Sequence, residues 1–188
     1  MLNAPSSSLY FWHWFMRCCG FGLLLWASLI TASAAFAQNT GAPVDFSADG
    51  IETNQDTGVF IATGNVIFSQ GAMSLKADVV EYNRQTGQAM ARGNVVFTDH
   101  DGNIHFSDQM QMNDQFTRAF AEPVITRMAD KSWMAGQTGE YVKDDYTTYD
   151  SATYTPCDCD YADGEVPIWQ IDSTTSWHDP KTKTVYHR

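Results

Sequence analysis

The sequence has 188 residues, of which 44% are hydrophobic, and this suits one globular domain of ordinary size. Its 11 Lys and Arg residues are outnumbered by 22 Asp and Glu residues, so the net charge of −11 excludes nucleic acid as an expected partner. Charged residues make up only 18% and aromatic residues 13%, which is too apolar a mixture for a disordered acidic tail.

The first 37 residues have the three parts of a secretory signal peptide. Arg17 is the only Lys, Arg, Asp or Glu among them, and an apolar run of about ten residues, 21–30, follows it. A membrane-spanning helix needs about 20 apolar residues, so the run is too short for an anchor. Small residues then lead to an Ala-Phe-Ala end, and we expect cleavage between Ala37 and Gln38. The mature chain, 38–188, would therefore reach an oxidising compartment.

The mature chain contains an internal repeat with a period of 29 to 30 residues. In two copies an Ala-Asp pair precedes a Gly-Asn-Val step by sixteen positions, and a third copy keeps the offset with other residues. Three copies at matched offsets indicate units that stack on one another. The paired steps are Ala48-Asp49 with Gly64-Asn65-Val66, Ala77-Asp78 with Gly93-Asn94-Val95, and Ser107-Asp108 with Pro123-Val124.

Apolar and polar residues alternate within each copy, which predicts half-buried β-strands. Turn-forming residues separate the alternating runs at 54–58, 83–87, 99–103 and 114–115. We therefore expect an all-β chain of antiparallel strands whose sheet folds over itself and buries one face. An open sheet of this kind leaves edge strands, to which a strand of another chain can add.

One break in the alternation falls inside the second copy. Met73 and Leu75 have the opposite parity from Val80 and Tyr82. An extra residue in a strand reverses the face that later residues occupy, so the sequence predicts a β-bulge near Ala77-Asp78.

The repeated steps resemble the OstA-type repeats of the lipopolysaccharide transport proteins, a family that includes the bridge protein LptA and the N-terminal region of the assembly protein LptD. The segments 154–159 (Tyr-Thr-Pro-Cys-Asp-Cys) and 167–171 (Pro-Ile-Trp-Gln-Ile) are similar to the stretch where LptD leaves its jelly roll for its membrane barrel. The resemblance covers residues 44–188 and implies an OstA-like jelly roll, or β-taco, that is incomplete at its C-terminal end. Because LptD proteins continue into a barrel beyond the position of Arg188, we expect a fragment of such a protein.

The resemblance also implies a division of the chain and a set of partners. It gives a signal peptide over 1–37, jelly-roll repeats over 38–156, and cysteine-containing final strands over 157–188 that lead to a barrel absent from the sequence. The implied function is lipopolysaccharide transport and outer-membrane assembly, in which a periplasmic groove receives the lipid and passes it toward the barrel. A free-standing LptA-like bridge protein and a structural β-repeat protein are the alternatives.

Three partners follow from the resemblance. The first is lipopolysaccharide itself. The second is an LptA-like bridge protein, which would add a strand at the edge formed by Val44, Asp45, Phe46 and Ser47. The third is an LptE-like lipoprotein, which the chain would reach only through the missing barrel.

The alternating apolar residues are the candidates for the lipid groove. The alternation by itself favours a closed core, as in any protein of two facing sheets, whereas the resemblance implies contact with acyl chains. His105 lies between two of the candidates and is expected to face outward. The candidates are Phe60, Val66, Phe68, Val95, Phe97, Ile104, Phe106, Met110, Met112 and Ile125.

Cys157 and Cys159 are the two cysteines of the mature chain. In a strand their side chains would share a face with Cα atoms about 6.6 Å apart, close to the upper limit for a disulfide. A strained local bridge and free thiols therefore stay open as alternatives, while the resemblance implies pairing with cysteines of the barrel. The mature chain shows no established metal-ligand spacing and no nucleophile motif, so we expect no metal, no cofactor and no enzyme activity.

Overall fold

A computed structural model of the chain describes residues 44–159 and 165–188 as a single 13-stranded antiparallel sheet. No helix among these residues is long and apolar enough to cross a membrane. The predicted cleavage site at Ala37 and Gln38 lies outside the described residues. The strands are β1 Val44–Ser47, β2 Gly50–Asn54, β3 Val59–Gln70, β4 Met73–Asn83, β5 Gln88–Thr98, β6 Ile104–Asn113, β7 Arg118–Ala121, β8 Val124–Arg127, β9 Trp133–Gly136, β10 Thr138–Val142, β11 Thr147–Thr155, β12 Ile171–Asp179 and β13 Thr184–His187.

The sheet is a meander whose strands are kinked near their middles. Strands β1 and β2 lie end to end against β3, as β7 and β8 do against β6, and β9 and β10 against β11. The kinks divide the sheet into two halves. The β1 half contains β1, β8 and β9, and the β2 half contains β2, β7 and β10. The long strands run through both halves.

The kinks coincide with bulges at the repeated Gly-Asn steps. The pairing of β3 with β4 shifts register between Thr63 and Val66, and the pairing of β4 with β5 shifts between Lys76 and Val79. Gly64 and Gly93 both have left-handed backbones, with φ of 73° and 74°. A bulge bends its strand and shifts the alternation of one strand relative to the other. The change of face predicted near Ala77-Asp78 is confirmed, but the extra residues lie in the neighbouring strands, at Gly64-Asn65 of β3 and Gly93-Asn94 of β5.

The aspartate of each Ala-Asp step holds the bulge of the neighbouring strand. The Asn65 side-chain amide donates to Asp49 Oδ2 at 2.8 Å, and the backbone N–H of Asp49 donates to the carbonyl oxygen of Gly64 at 2.9 Å. Asn94 and Asp78 repeat the side-chain bond at 2.8 Å. Asp49 and Asn65 are sixteen residues apart in the sequence and meet across the sheet, as do Asp78 and Asn94. This contact accounts for the repeated sixteen-residue offset.

The two halves pack face to face along the line of kinks. Tyr149, in the part of β11 that belongs to the β2 half, donates its hydroxyl hydrogen to Thr126 of β8 at 2.9 Å. Tyr141 of β10 packs edge-on against Phe97 of β5, with ring centroids 5.6 Å apart. The side chains between the halves form the buried core of the described chain. The predicted all-β jelly roll of antiparallel strands, folded like a taco, is confirmed.

We predict that Gly93→Ala destabilises the fold more than Gly102→Ala does. Both glycines have positive φ, which costs a residue with a side chain about 1–3 kcal/mol. At Gly93 an added Cβ would also lie 2.9 Å from the Cβ of Asp78, so Asp78 must move away from Asn94, whereas at Gly102 it would meet only the Cβ of Ala129 at 4.0 Å. Urea unfolding of both variants measures the difference. Equal losses of unfolding free energy would contradict the structural role of Asp78.

Candidate functional site

The inner faces of the two halves enclose a trough with three regions in chain order. An apolar pocket of about 460 Å³, here called the N-terminal pocket, lies between β1, β2 and the first long strands. The middle of the trough, the closed centre, contains a cavity of only about 10 Å³. A polar cavity of about 600 Å³, the C-terminal cavity, lies beside β12 and β13.

The N-terminal pocket opens at the first two strands and closes toward the interior. At its mouth, Phe46 is 49% exposed and Ile51 is 59% exposed, whereas Val66 and Leu75 farther in are buried. A concave apolar surface of this size is typical of a small-molecule or lipid site. The side chains that line it are Phe46, Ile51, Thr53, Phe60, Ala62, Val66, Phe68, Leu75, Val80, Tyr82, Ala89, Asn113, Asp114 and Phe116.

A chain of hydrogen bonds braces the closed centre. The fully buried Asp99 carboxylate accepts from the backbone N–H of Asn103 at 2.9 Å and from His105 Nε2 at 3.1 Å. A carboxylate only accepts, so Nε2 carries a hydrogen, and Nδ1 lies 2.9 Å from the Thr126 hydroxyl oxygen. Thr126 in turn accepts from Tyr149. The bonds therefore join the β1 half to the β2 half inside the trough.

His100 joins the two halves at the open side of the same region. Its Nδ1 lies 2.9 Å from the Tyr141 hydroxyl and its Nε2 lies 3.1 Å from Asp144 Oδ1. Burial raises the pKa of Tyr141 above its ordinary value, and the Asp99 carboxylate adds to this effect. Tyr141 is therefore protonated at neutral pH and can donate to His100. These contacts tie the β5–β6 turn to the β10–β11 turn.

The C-terminal cavity differs from the N-terminal pocket in its chemistry. Its lining includes the carboxylates of Asp101 and Asp130 together with His178, Lys183 and His187. Burial lowers the pKa of His178, although nearby aspartates act in the opposite direction. A lining with this many ionisable groups is unsuited to a hydrocarbon chain, because apolar contact would desolvate them. Within the described residues, the apolar surface of the trough is thus concentrated in the N-terminal pocket.

Seven of the ten predicted groove residues face inward. Phe60, Val66 and Phe68 line the N-terminal pocket. The other four belong to the buried core beyond that pocket: Val95, Phe97, Met110 and Met112. Four of the seven thus belong to a closed core, and three line an open apolar pocket.

The remaining three predicted groove residues lie on the outer face, and their assignment is wrong. Ile125 is 48% exposed. Phe106 stacks on Trp133 on the same outer surface, with ring centroids 6.3 Å apart. The pairing of β5 with β6 shifts register between Arg92 and Val95. Because of this shift, the side chains of Ile104 and Phe106 point to the opposite face of the sheet from those of Met110 and Met112.

His105 corrects a second expectation from the same stretch. It was expected to face outward, but it points inward and is 3% exposed. The reason is the register shift that turns Ile104 and Phe106 outward, because neighbouring residues of a strand point to opposite faces. The change of face near Ala77-Asp78 thus recurs in β6 near Ser107-Asp108, opposite the bulge at Gly93-Asn94.

Several lining residues of the pocket are absent from the predicted set. Val80 and Tyr82 could have been found, because the predicted change of face near Ala77-Asp78 returns them to the inner face. Phe46 was assigned to the edge strand alone, yet its side chain also lines the pocket mouth. Phe116 lies in the turn between β6 and β7, where no strand periodicity indicates which way a side chain points.

The predicted edge strand, Val44, Asp45, Phe46 and Ser47, is β1 of the structure. It pairs with β3 on one side and stands at one end of the sheet order, and all four residues are exposed. Strand β13, Thr184–His187, stands at the other end. Among the described residues, both ends of the sheet therefore present a free strand edge.

Cys157 and Cys159 form a disulfide with each other, which corrects the preference for outside partners. The separation expected for two residues of a strand does not apply, because β11 ends at Thr155 and the two Cα atoms are only 5.1 Å apart. Asp158, between the cysteines, accepts from Lys131 Nζ at 2.7 Å and from Arg127 at 3.2 Å. The disulfide loop is thereby attached to the β8–β9 hairpin.

Comparisons with known proteins find two similarities. The family model described as LptA/(LptD N-terminal domain) LPS transport protein matches residues 45–154, more than half of the chain. The crystal structure of LptH, the LptA-homologous periplasmic component of the lipopolysaccharide transport device of Pseudomonas aeruginosa, aligns with a TM-score of 0.47 and 17% identity, over 54% of this chain and 76% of that one. No curated protein matches the sequence.

We predict that Asp99→Asn destabilises the protein at neutral pH by about 1–3 kcal/mol, because an amide cannot accept all the donors that surround the carboxylate. Burial would raise the pKa of Asp99, but hydrogen bonds from His105 and Asn103 outweigh it and hold the pKa below its ordinary value of 3.8. The ionised group therefore stabilises the fold above pH 3.8, and this contribution is lost as the pH falls below that value.

Urea unfolding at several pH values tests the prediction. The difference between the wild-type protein and Asp99→Asn should shrink below pH 3.8, whereas Asp101→Asn, in an exposed position of the same turn, should change stability little at any pH. A difference for Asp99→Asn that does not change with pH would rule out the ionised carboxylate as its source.

Proposed function

The chain belongs to the LptA/LptD N-terminal domain family of lipopolysaccharide transport proteins, and we propose that its N-terminal pocket holds hydrocarbon of the transported lipid. The observation that carries the proposal is the pocket itself, an apolar concavity of about 460 Å³ at one end of the folded sheet. Phe60, Val66 and Phe68 are the predicted groove residues that line it. The polar part of the lipid would remain in solvent at the mouth, between Phe46 and Ile51.

The hydrophobic effect supplies the driving force. Each methylene moved from water to an apolar site contributes about 0.8 kcal/mol. Electrostatic attraction contributes little to recognition of an anionic lipid, since the chain carries a net charge of −11. Burial of tails in the apolar pocket therefore decides both where the lipid binds and which part of it is held.

The place of the pocket beside β1 suggests how the lipid arrives. A strand of an LptA-like bridge protein would pair with the exposed edge of Val44, Asp45, Phe46 and Ser47 and extend the sheet. Such pairing would place the end of the bridge next to the mouth of the pocket, because Phe46 belongs both to β1 and to the pocket lining. Lipid could then move between the two proteins without entering water.

The wider setting is part of the same proposal. Residues 1–37 would direct export to the periplasm, 38–156 would form the lipid-binding jelly roll, and 157–188 would lead toward an outer-membrane barrel that accepts the lipid. An LptE-like lipoprotein would be a partner through that barrel. The cysteine-containing segment, which resembles LptD, favours this arrangement over a free-standing LptA-like bridge.

We predict that a photoreactive residue at Phe60 captures lipopolysaccharide, whereas one at Phe106 does not. Both replace an aromatic residue of a long strand, but Phe60 lines the pocket and Phe106 lies on the outer face. The measurement is crosslinked lipid detected by immunoblot after irradiation in cells. Equal capture at the two positions would contradict the pocket as the binding site.

We predict that a photoreactive residue at Asp45 of β1 captures the bridge protein, whereas one at Tyr186 of β13 does not. The two positions lie on strands at opposite ends of the sheet, so they share an edge environment and differ in their distance from the pocket. Mass spectrometry of the crosslinked product identifies the partner. Capture of the bridge protein at Tyr186 and not at Asp45 would contradict the proposed entry of lipid at β1.

A further inference from the structure

The N-terminal pocket has one aromatic side chain at the boundary with the closed centre. Phe116 lines the pocket and is only 7% exposed. Its ring stacks on Phe68 of the pocket wall, with centroids 4.6 Å apart, and on the other side lies 6.2 Å from Phe97 of the closed centre. Beyond it, the closed centre contains a cavity of only about 10 Å³. A hydrocarbon chain that enters from β1 and β2 therefore meets Phe116 at the inner limit of the available space.

The turn that carries Phe116 is held in place by several hydrogen bonds. The Asn113 side-chain oxygen accepts from the backbone N–H of Thr117 at 2.9 Å and of Arg118 at 3.1 Å. The Asn113 amide donates to the Thr117 hydroxyl at 2.7 Å, and the Phe116 N–H donates to the carbonyl oxygen of Asn113 at 3.1 Å. The next turn adds a bond from Lys143 N–H to the Thr117 carbonyl oxygen at 2.8 Å. These bonds describe a fixed wall and not a loose lid.

The backbone at Phe116 shows that its position is enforced. Its φ of 53° is left-handed, a conformation that bulky side chains rarely adopt and that persists only where the surroundings impose it. The conformation directs the ring away from its own hairpin and onto Phe68 of β3. The ring thus spans from the β2 half, where its turn begins and ends, to the β1 half.

We infer that Phe116 is the end wall of the N-terminal pocket and sets the maximum length of hydrocarbon that the pocket accepts. The inference rests on the proposed function, since it concerns the same pocket, and it adds a determinant of chain-length specificity. Affinity for saturated chains should rise about fourfold per methylene while the chain still gains apolar contact. It should stop rising at the length at which the chain end reaches Phe116.

The test uses a homologous series of saturated fatty acids, from octanoate to stearate, in competition with a fluorescent fatty acid bound to the mature chain. For the wild-type protein we expect affinity to reach a plateau within the series. Phe116→Gly removes the wall and suits the left-handed backbone, so its plateau should move to longer chains by at least two methylenes, a gain of tenfold or more for the longest probes.

Two further variants complete the experiment. Phe116→Leu retains an apolar side chain of smaller reach and should move the plateau in the same direction by less, which keeps the test available if Phe116→Gly does not fold. Phe120→Ala is the matched control, because Phe120 is an exposed residue of the adjoining strand β7 and does not line the pocket. Its plateau should equal that of the wild-type protein.

The outcomes separate the inference from the proposed function. If the wild-type protein binds none of the probes, the proposed function fails. If it binds them with an affinity that rises through the whole series, or if folded Phe116→Gly or Phe116→Leu keeps the wild-type plateau, the end wall is overturned while the pocket stands. A plateau that moves equally in Phe120→Ala also overturns the role of Phe116.

Discussion

The contact between an aspartate and a Gly-Asn bulge on the next strand determines the shape of this molecule. A long meander without kinks would remain an open, twisted sheet with one apolar face in water. Asp49 with Asn65 and Asp78 with Asn94 place the kinks of neighbouring strands side by side, so the whole sheet bends along one line. The bend brings the two apolar half-faces together, and the trough exists only because they meet.

The interior of the trough is divided by its polar and aromatic groups. Asp99, His105, Thr126 and Tyr149 form a satisfied chain of hydrogen bonds, and breaking one member would leave buried polar atoms without partners. The chain therefore fixes the distance between the halves in the closed centre. No such polar brace occurs among the residues that line the N-terminal pocket, and there the halves leave room for a ligand. Cross-bracing at one point and its absence at another give one folded sheet both a closed core and an open apolar pocket.

The sequence was sufficient for the fold and for part of the site. Alternation and the sixteen-residue offset are local signals, so they identified the strands, the turns and the change of face near Ala77-Asp78. Ile104 and Phe106 were misplaced because the change of face in β6 is caused by the Gly93-Asn94 bulge of the neighbouring strand β5, and the apolar pattern of β6 itself does not show it. Phe116 could not be found, since its role depends on a turn reaching across to β3. The Cys157–Cys159 bond likewise depends on the chain leaving its strand at Thr155.

Under the proposed function, the open mouth of the pocket suits transport better than full enclosure would. Complete burial of about ten methylenes would contribute roughly 8 kcal/mol, an affinity near the micromolar range for each chain of a lipid that carries several. Phe46 and Ile51 remain exposed at the mouth, so the pocket covers each chain only partly and recovers only part of that free energy. Partial burial leaves an occupied pocket able to release its ligand to a neighbouring apolar surface. A protein that extends the sheet at β1 would supply such a surface at the place where the chain emerges.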